Sequence, residues 1–250
     1  AKGRCGMMNW QGKRYWLIGA SEGLGAALAR KLSSAGVEVI LSARNEDRLK
    51  ELVAELPGVA SYVTVDVSDR ASVAAAAEKV GQIDGMVYLA GVYWPMKTQE
   101  WNAEQAEAMA DVNFTGAMRA VGAVVPAMVA RDAGHIVITG SLSGFRGLPG
   151  AIGYSASKAG TMALAESLHA DLWKTGVRVQ VANPGFIRTR LTDKNDFKMP
   201  FLMEPEDAAQ EVFELMNDEG TFKRSFPRAF SLLFRASQFM PDWMYYRLFA

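Results

Sequence analysis

Short apolar runs alternate along the chain with longer stretches whose apolar residues return every three to four positions. The runs at 15–18, 37–41, 62–65, 85–89, 135–138 and 177–181 are strand-length and are bounded by turn residues, which predicts six strands. The stretches at 23–35, 46–56, 70–80, 104–131, 154–175 and 205–217 follow a helical period. Strand and helix repeated in this way predict an α/β fold, a doubly wound parallel sheet of the Rossmann type in a single domain. Such sheets bind ligands outside the carboxyl ends of their strands, near the switch in strand order. The loops after Ile18, Leu41, Leu89, Ile138 and Ala182 are therefore where a site is expected.

No Pro/Gly-rich linker divides the chain, and no internal repeat is visible. Residues 1–9 read as a flexible leader outside the fold, 10–221 as the domain, and 222–250 as an amphipathic C-terminal extension. In that extension Phe226, Phe230, Leu233 and Phe234 recur at helical spacing among Lys223, Arg224, Arg228 and Arg235. Such a segment packs on its own domain, on a partner subunit, or on a membrane surface. Packing on a core is the plainer of the three.

Composition narrows the picture by exclusion. Lys plus Arg and Asp plus Glu balance at 27 each in 250 residues, so no basic excess points to a nucleic-acid partner. Cys5 is the single cysteine and cannot form an internal disulfide, which fits a reducing cytoplasm, with membrane association only through the tail. The longest apolar stretch, 121–130, falls short of the run of about 18 residues that spans a bilayer. The two histidines, His135 and His169, lack a second ligand nearby in sequence, and no metal site is expected.

The chemistry begins where the first strand runs into Gly19-Ala-Ser21-Glu-Gly23-Leu24-Gly25. A glycine turn that opens a helix lets backbone approach a pyrophosphate, and the helix N-terminus offers free N–H groups. The plainer alternative is a tight strand-to-helix turn. Glu22 inside the turn is compatible with phosphate only if its carboxylate points outward. At the end of the second strand an acidic residue would favour NAD, and an arginine would accommodate a 2′-phosphate. Here Ala43 takes the acidic place and Arg44-Asn45 follow, which points to NADP(H). A surface arginine paired with Glu46 or Asp47 is the alternative.

Tyr154 and Lys158 stand four apart on a predicted helix and so share a face. An ammonium beside a phenol lowers the phenol's pKa, and this suits tyrosine to general acid–base work. Ser141 follows the fifth strand, where a hydroxyl can hold a reacting oxygen.

Together, Gly19/Gly23/Gly25, Asp66, Ala90-Gly91, Asn113, Ser141, Tyr154/Lys158 and Pro184-Gly185 resemble, in order and from about residue 13 to about 192, the short-chain dehydrogenase/reductases. The resemblance implies hydride transfer between a nicotinamide cofactor and a carbonyl or alcohol. It makes Tyr154 the proton donor, gives Lys158 the tuning of that proton and a grip on the nicotinamide ribose, and sets Ser141 on the substrate oxygen. Asn113 would complete a proton relay through a backbone carbonyl and water. Asp66 with Val67 would meet the adenine, and Ile187 and Thr189 the carboxamide. Family members often form dimers or tetramers through the helices carrying Asn113 and Tyr154, so a homo-oligomer is expected.

Three positions depart from the family pattern. Ile18 stands where threonine is usual and Leu89 where asparagine is usual, which suggests a polar contact exchanged for an apolar one. The usual short terminal strand is expected to be absent. On the substrate side Tyr93, Trp94, Ser143, Leu148, Met199 and the stretch 197–203 suggest a hydrophobic small molecule, or else packing on the core or a subunit, with 192–203 as a lid. Ser143 competes with Ser141 but fits the spacing less well. The leading reading is an oxidoreductase. A non-catalytic NADP(H)-binding sensor or scaffold acting through its tail is the alternative, and epimerisation or dehydration has no direct support.

Overall fold

The structure is a computed structural model that describes residues 8–194 and 199–249. Seven parallel strands form one sheet in the order β3-β2-β1-β4-β5-β6-β7. They are β1 (Arg14–Ile18), β2 (Glu38–Ser42), β3 (Ala60–Tyr62), β4 (Gly85–Tyr88), β5 (Gly134–Thr139), β6 (Val177–Pro184) and β7 (Lys223–Phe226). The strand order reverses between β1 and β4, which places the ligand crevice there.

Because side chains alternate along a strand, each strand feeds both faces of the sheet. Tyr15 and Leu17 join one core with α1 (Gly23–Ser34), α2 (Glu46–Glu55) and α7 (Pro205–Asn217). Trp16 and Ile18 join the other with α3 (Arg70–Val80), α5 (Gly116–Ala130) and α6 (Ile152–Leu172). A sheet covered on both faces explains why its strands read as nearly continuous apolar runs.

Several expectations shift. The third strand sits two residues earlier than predicted, although Val63 and Val65 still donate to the Leu41 and Ala43 carbonyls at 3.0 Å. The expected helix over 104–131 is α4 (Ala103–Ala110) and α5 joined by a π-helical turn over Asp111–Thr115. Ala103–Ala130 contains a stretch long and apolar enough by composition to cross a membrane, with a mean hydropathy of 1.3 over 18 residues. Its apolar residues instead pack under the sheet, among them Ala117, Ala120, Val124 and Met128.

A terminal strand, expected to be absent, is present as β7. Its sequence, Lys-Arg-Ser-Phe, hides the strand because only Phe226 is buried. Its charged side chains lie on a sheet edge, a common device against edge pairing, and are matched by Glu166 for Lys223 and by Glu211 (2.6 Å) and Glu214 (2.5 Å) for Arg224. The leader also ends sooner than expected, since Met8 packs on the core and takes a hydrogen bond from Arg178 (3.2 Å). The tail continues as α8 (Arg228–Ser237) and α9 (Asp242–Phe249). Cys5 and Phe197 lie outside the described residues.

Candidate active site

The glycine turn lies where β1 gives way to α1. Gly19 has φ +91°, and a Cβ there would sit 2.3 Å from the Ala90 nitrogen. At Gly25 a Cβ would meet the Gly19 oxygen at 2.2 Å. The turn is therefore a backbone cradle that any side chain would fill, and Thr189 closes one side of it against Gly23. Ser21 and Leu24 are half-buried within it. Among the described residues no side chain caps α1, so its first N–H groups suit an anion such as a pyrophosphate. Glu22 points away from this use: its carboxylate pairs with Arg48 and with Arg190 (2.8 Å).

Arg44 is exposed at the end of β2 and makes no ion pair or hydrogen bond among the described residues, so the expected alternative of pairing with Glu46 or Asp47 is not realised. Glu46 pairs with Lys50 instead. Asn45 caps α2, accepting from the Arg48 N–H at 3.0 Å. Asp66 is held below the usual carboxylate range chiefly by the Ser68 hydroxyl (2.6 Å), with Arg44 and Arg119 adding to the effect. Val67 is buried beneath it, and its carbonyl accepts from Arg119 (3.0 Å).

Ser141 follows β5 and has an extended backbone. Its hydroxyl accepts from the Ser143 N–H (3.1 Å) and lies close enough to the Tyr154 hydroxyl to pull its pKa down. Ser143 meets this group through its backbone N–H. Tyr154 is pushed up to about 12 by burial, against the lowering pull of Ser141, and Tyr93 adds to the rise. Lys158 is buried, donates to the Thr139 carbonyl (2.9 Å), and is brought down to about 8 by burial. The expected lowering of Tyr154 by Lys158 is therefore corrected. The ammonium is directed at a carbonyl, 5.8 Å from the phenol ring centre, and desolvation of the phenol prevails.

Asn113 sits inside the π-helical turn and is fully buried. It takes the Val92 N–H (2.7 Å) and donates to the Val92 carbonyl (3.0 Å) and the Ser157 hydroxyl (3.0 Å). Such a turn frees helix carbonyls, and these find partners: Tyr88 donates to Val112 (2.6 Å) and Thr161 to Asn113 (3.0 Å). A Cβ on Gly91 would come within 3.4 Å of the Asn113 oxygen and 3.9 Å of the Lys158 nitrogen, so Ala90-Gly91, Asn113 and Lys158 share one corner. Ser157 and Thr161 escaped the sequence reading. Their offsets of three and seven from Tyr154 put them on its helix face, and that periodicity is the signal that marks them.

Ile18 and Leu89 do not form the apolar side-chain contact expected of them. Ile18 belongs to the core under α5 and α6, whereas Leu89 packs with the opposite core. They meet only through the backbone, Leu89 N–H to Ile18 carbonyl at 2.7 Å.

On the substrate side Tyr93 stands edge-on to Tyr154 with ring centres 5.0 Å apart. Lys194 lies 4.3 Å over the Trp94 ring and donates to the Tyr93 carbonyl (2.7 Å). Leu148 and Met199 are half-buried. Of the expected lid, 195–198 lie outside the described residues, while Met203 bridges back to Ile187. Ile187 is buried, and its carbonyl accepts from the Thr192 hydroxyl (2.7 Å). Pro184 ends β6, and Gly185 follows it, donating to Phe226 (2.7 Å) and touching Phe230 and Leu142.

Residues 13–199 match the family described as short chain dehydrogenase. An uncharacterized oxidoreductase of Myxococcus xanthus is 38% identical over 236 residues, which are 90% of this chain and 92% of that one. An alcohol dehydrogenase from Thermococcus sibiricus, solved with 5-hydroxy-NADP, superposes with a TM-score of 0.77 at 27% identity, covering 86% of this chain and 96% of its own. A variant of actinorhodin polyketide ketoreductase, solved with NADPH, gives 0.77 at 27% identity over 88% of this chain and 97% of its own.

Proposed function

The chain belongs to the short-chain dehydrogenase family and is an oxidoreductase, and from that premise we propose that it transfers hydride between NADP(H) and the carbonyl or alcohol of a hydrophobic small molecule. One observation carries the reading: a half-buried Tyr154 whose hydroxyl is influenced by the nearby Ser141 hydroxyl, with buried Lys158 one turn along the same helix. Ser141 holds the substrate oxygen and Tyr154 gives it a proton during reduction. A phenol raised to about 12 stays protonated at neutral pH, as a donor must. Lys158 supplies positive charge beside the site, and Asn113, fixed through Val92 and Ser157, positions the proton path.

The cradle at Gly19, Ser21, Gly23, Leu24 and Gly25 suits the pyrophosphate, and Asp66, Val67, Ile187 and Thr189 border the rest of the nucleotide. When bound there, NADPH supplies the hydride. The choice of NADP(H) over NAD(H) rests on the uncommitted Arg44 beside the non-acidic Ala43, and on the two structural relatives solved with NADP forms. Tyr93, Trp94 and Leu148 favour an apolar substrate. Exposed Met118 and Val129 on α5 fit a homo-oligomer that pairs through the helices around Asn113 and Tyr154.

The test is a panel of aldehydes and ketones followed by NADPH absorbance. The expected result is turnover with NADPH well above NADH. Arg44→Ala should lower kcat/KM for NADPH about tenfold or more and leave the NADH value alone. Equal use of both nucleotides would overturn the cofactor assignment. NADPH binding without turnover across the panel would turn the reading toward a binding protein.

A further inference from the structure

Helices α8 and α9 are each held to the body by one face and bare on the other. α8 buries Phe230, whose ring packs against Phe186 (5.8 Å) and Phe201 (5.5 Å). α9 buries Tyr245, which donates to the Gly147 carbonyl. Arg146 ties both helices to the loop after β5. Its guanidinium lies 4.0 Å over the Tyr245 ring, bonds the Ser237 and Met240 carbonyls, and pairs with Asp242.

The opposite faces are apolar and cationic together. Phe239 is 87% exposed and Trp243 71%, joined by Leu232, Tyr246 and Leu248. Arg228 and Arg235 flank Leu232 at four residues before and three after, and Arg247 follows Trp243 by four, which in a helix places each beside it. These three arginines make no ion pair among the described residues. Asp242 is the single acid in 222–250, and Arg146 already holds it.

That charge pattern separates the candidate occupants. A second copy docking on the same face would meet it isologously, setting arginine against arginine with no acid to pair. An anionic phospholipid surface supplies the missing charge, and its headgroup layer is where tryptophan, tyrosine and arginine on an amphipathic helix are stable. We propose that α8, α9 and the turn between them form a docking surface for an anionic membrane, on which the protein sits peripherally.

The experiment is co-sedimentation of the full chain with phosphatidylcholine vesicles, with and without about 30 mol % phosphatidylglycerol. The expected result is pelleting with the anionic vesicles only, lost in about 0.5 M salt. The triple variant Arg228→Gln/Arg235→Gln/Arg247→Gln should bind about a hundredfold more weakly, since each arginine near a charged surface contributes severalfold. Phe239→Ser/Trp243→Ser should bind at least about tenfold more weakly. Both variants change outward-facing positions and should melt at the native temperature and still bind NADPH. Failure to pellet with anionic vesicles overturns the proposal, as does undiminished pelleting of both variants. A native chain that ignores vesicles and is a dimer, which Phe239→Ser/Trp243→Ser splits, assigns the face to a second copy. Sedimentation reads binding alone, so its failure leaves the hydride-transfer reading standing.

Discussion

The two ends of the same sheet treat buried polar groups in opposite ways. At the amino-terminal end, His135 bonds Tyr15 (2.8 Å), Arg178 (3.0 Å) and Gln180 (2.8 Å). Gln180 in turn shares its two amide N–H groups among the Leu215, Asp218 and Thr221 carbonyls (2.8, 2.8 and 2.7 Å). At the carboxyl end, Thr139 Oγ1, Ser155 Oγ and both amide atoms of Asn183 are buried without a partner among the described residues. Leaving such a group unpaired costs about 1–3 kcal/mol. The paired end ties β1, β5, β6 and the end of α7 together. The end that leaves polar atoms unpaired is the one that carries Ser141, Tyr154 and Lys158. The contrast sets stability and the proposed chemistry at different ends of the strands, and substitutions at each should move different readouts.

The largest effect belongs to the chemical end. Tyr154→Phe removes the donor hydroxyl and should lower kcat/KM by about a thousandfold, within the range of general acid–base contributions. The melting temperature should stay near native, since the ring keeps its packing and only the hydroxyl beside Ser141 is removed. A variant that melts early and keeps its turnover would erase the distinction between the two ends.

Next comes the paired end. Gln180→Leu leaves the His135 Nε2 and the Thr221 carbonyl without their partner, takes one of two donors from the Leu215 and Asp218 carbonyls, and should destabilise the fold by about 3 kcal/mol. Denaturant unfolding measures the loss, and kcat of the folded protein should hold. If kcat falls as far as stability, the two ends are coupled through the sheet.

Two pH effects sharpen the contrast. Burial, then Arg178, holds His135 neutral, well below its ordinary pKa of 6.5. Above 6.5 neither state binds a proton there, so this histidine adds no pH dependence. Below it the unfolded chain takes up a proton that the native chain refuses, and stability falls by up to about 1.4 kcal/mol per pH unit. His135→Asn should flatten that slope between pH 6.5 and 5 in urea titrations. At the other end, Lys158 near 8 loses its charge as pH rises, so carbonyl reduction should decline above about pH 8 while Tyr154 remains protonated. In Lys158→Arg the residual rate should no longer decline there. A native profile flat from pH 7 to 10 would detach Lys158 from the chemistry.

What could be read from the sequence follows the same division. The strands were legible because a sheet buried on both faces leaves nearly unbroken apolar runs, and the cradle was legible because the close approach of Gly19 to Ala90 tolerates only glycine. Ser141, Tyr154 and Lys158 stood out through the family resemblance, since their spacing alone fits an exposed helix face as well. β7 was hidden because an edge strand need bury only Phe226. The π-helical turn was hidden because its freed carbonyls are satisfied by Tyr88 and Thr161, which are far away in sequence. The direction of the Tyr154 shift was misread because spacing places Lys158 beside the phenol but does not reveal the Thr139 carbonyl toward which the ammonium turns.

The smallest expected effect is the most pointed test of the contrast. Thr139 Oγ1 is buried and unpaired, while the Thr139 carbonyl receives Lys158. Thr139→Val keeps the shape and the carbonyl and removes only the orphan hydroxyl. By the same reasoning that makes Gln180→Leu costly, this exchange should raise stability by about 1 kcal/mol and the melting temperature by about 3 °C. The two substitutions delete buried polar groups of similar depth from adjacent strands, yet they should shift stability in opposite directions. A melting temperature that falls in Thr139→Val would mean that its hydroxyl is satisfied, and that the carboxyl end of the sheet is as fully paired as the amino end.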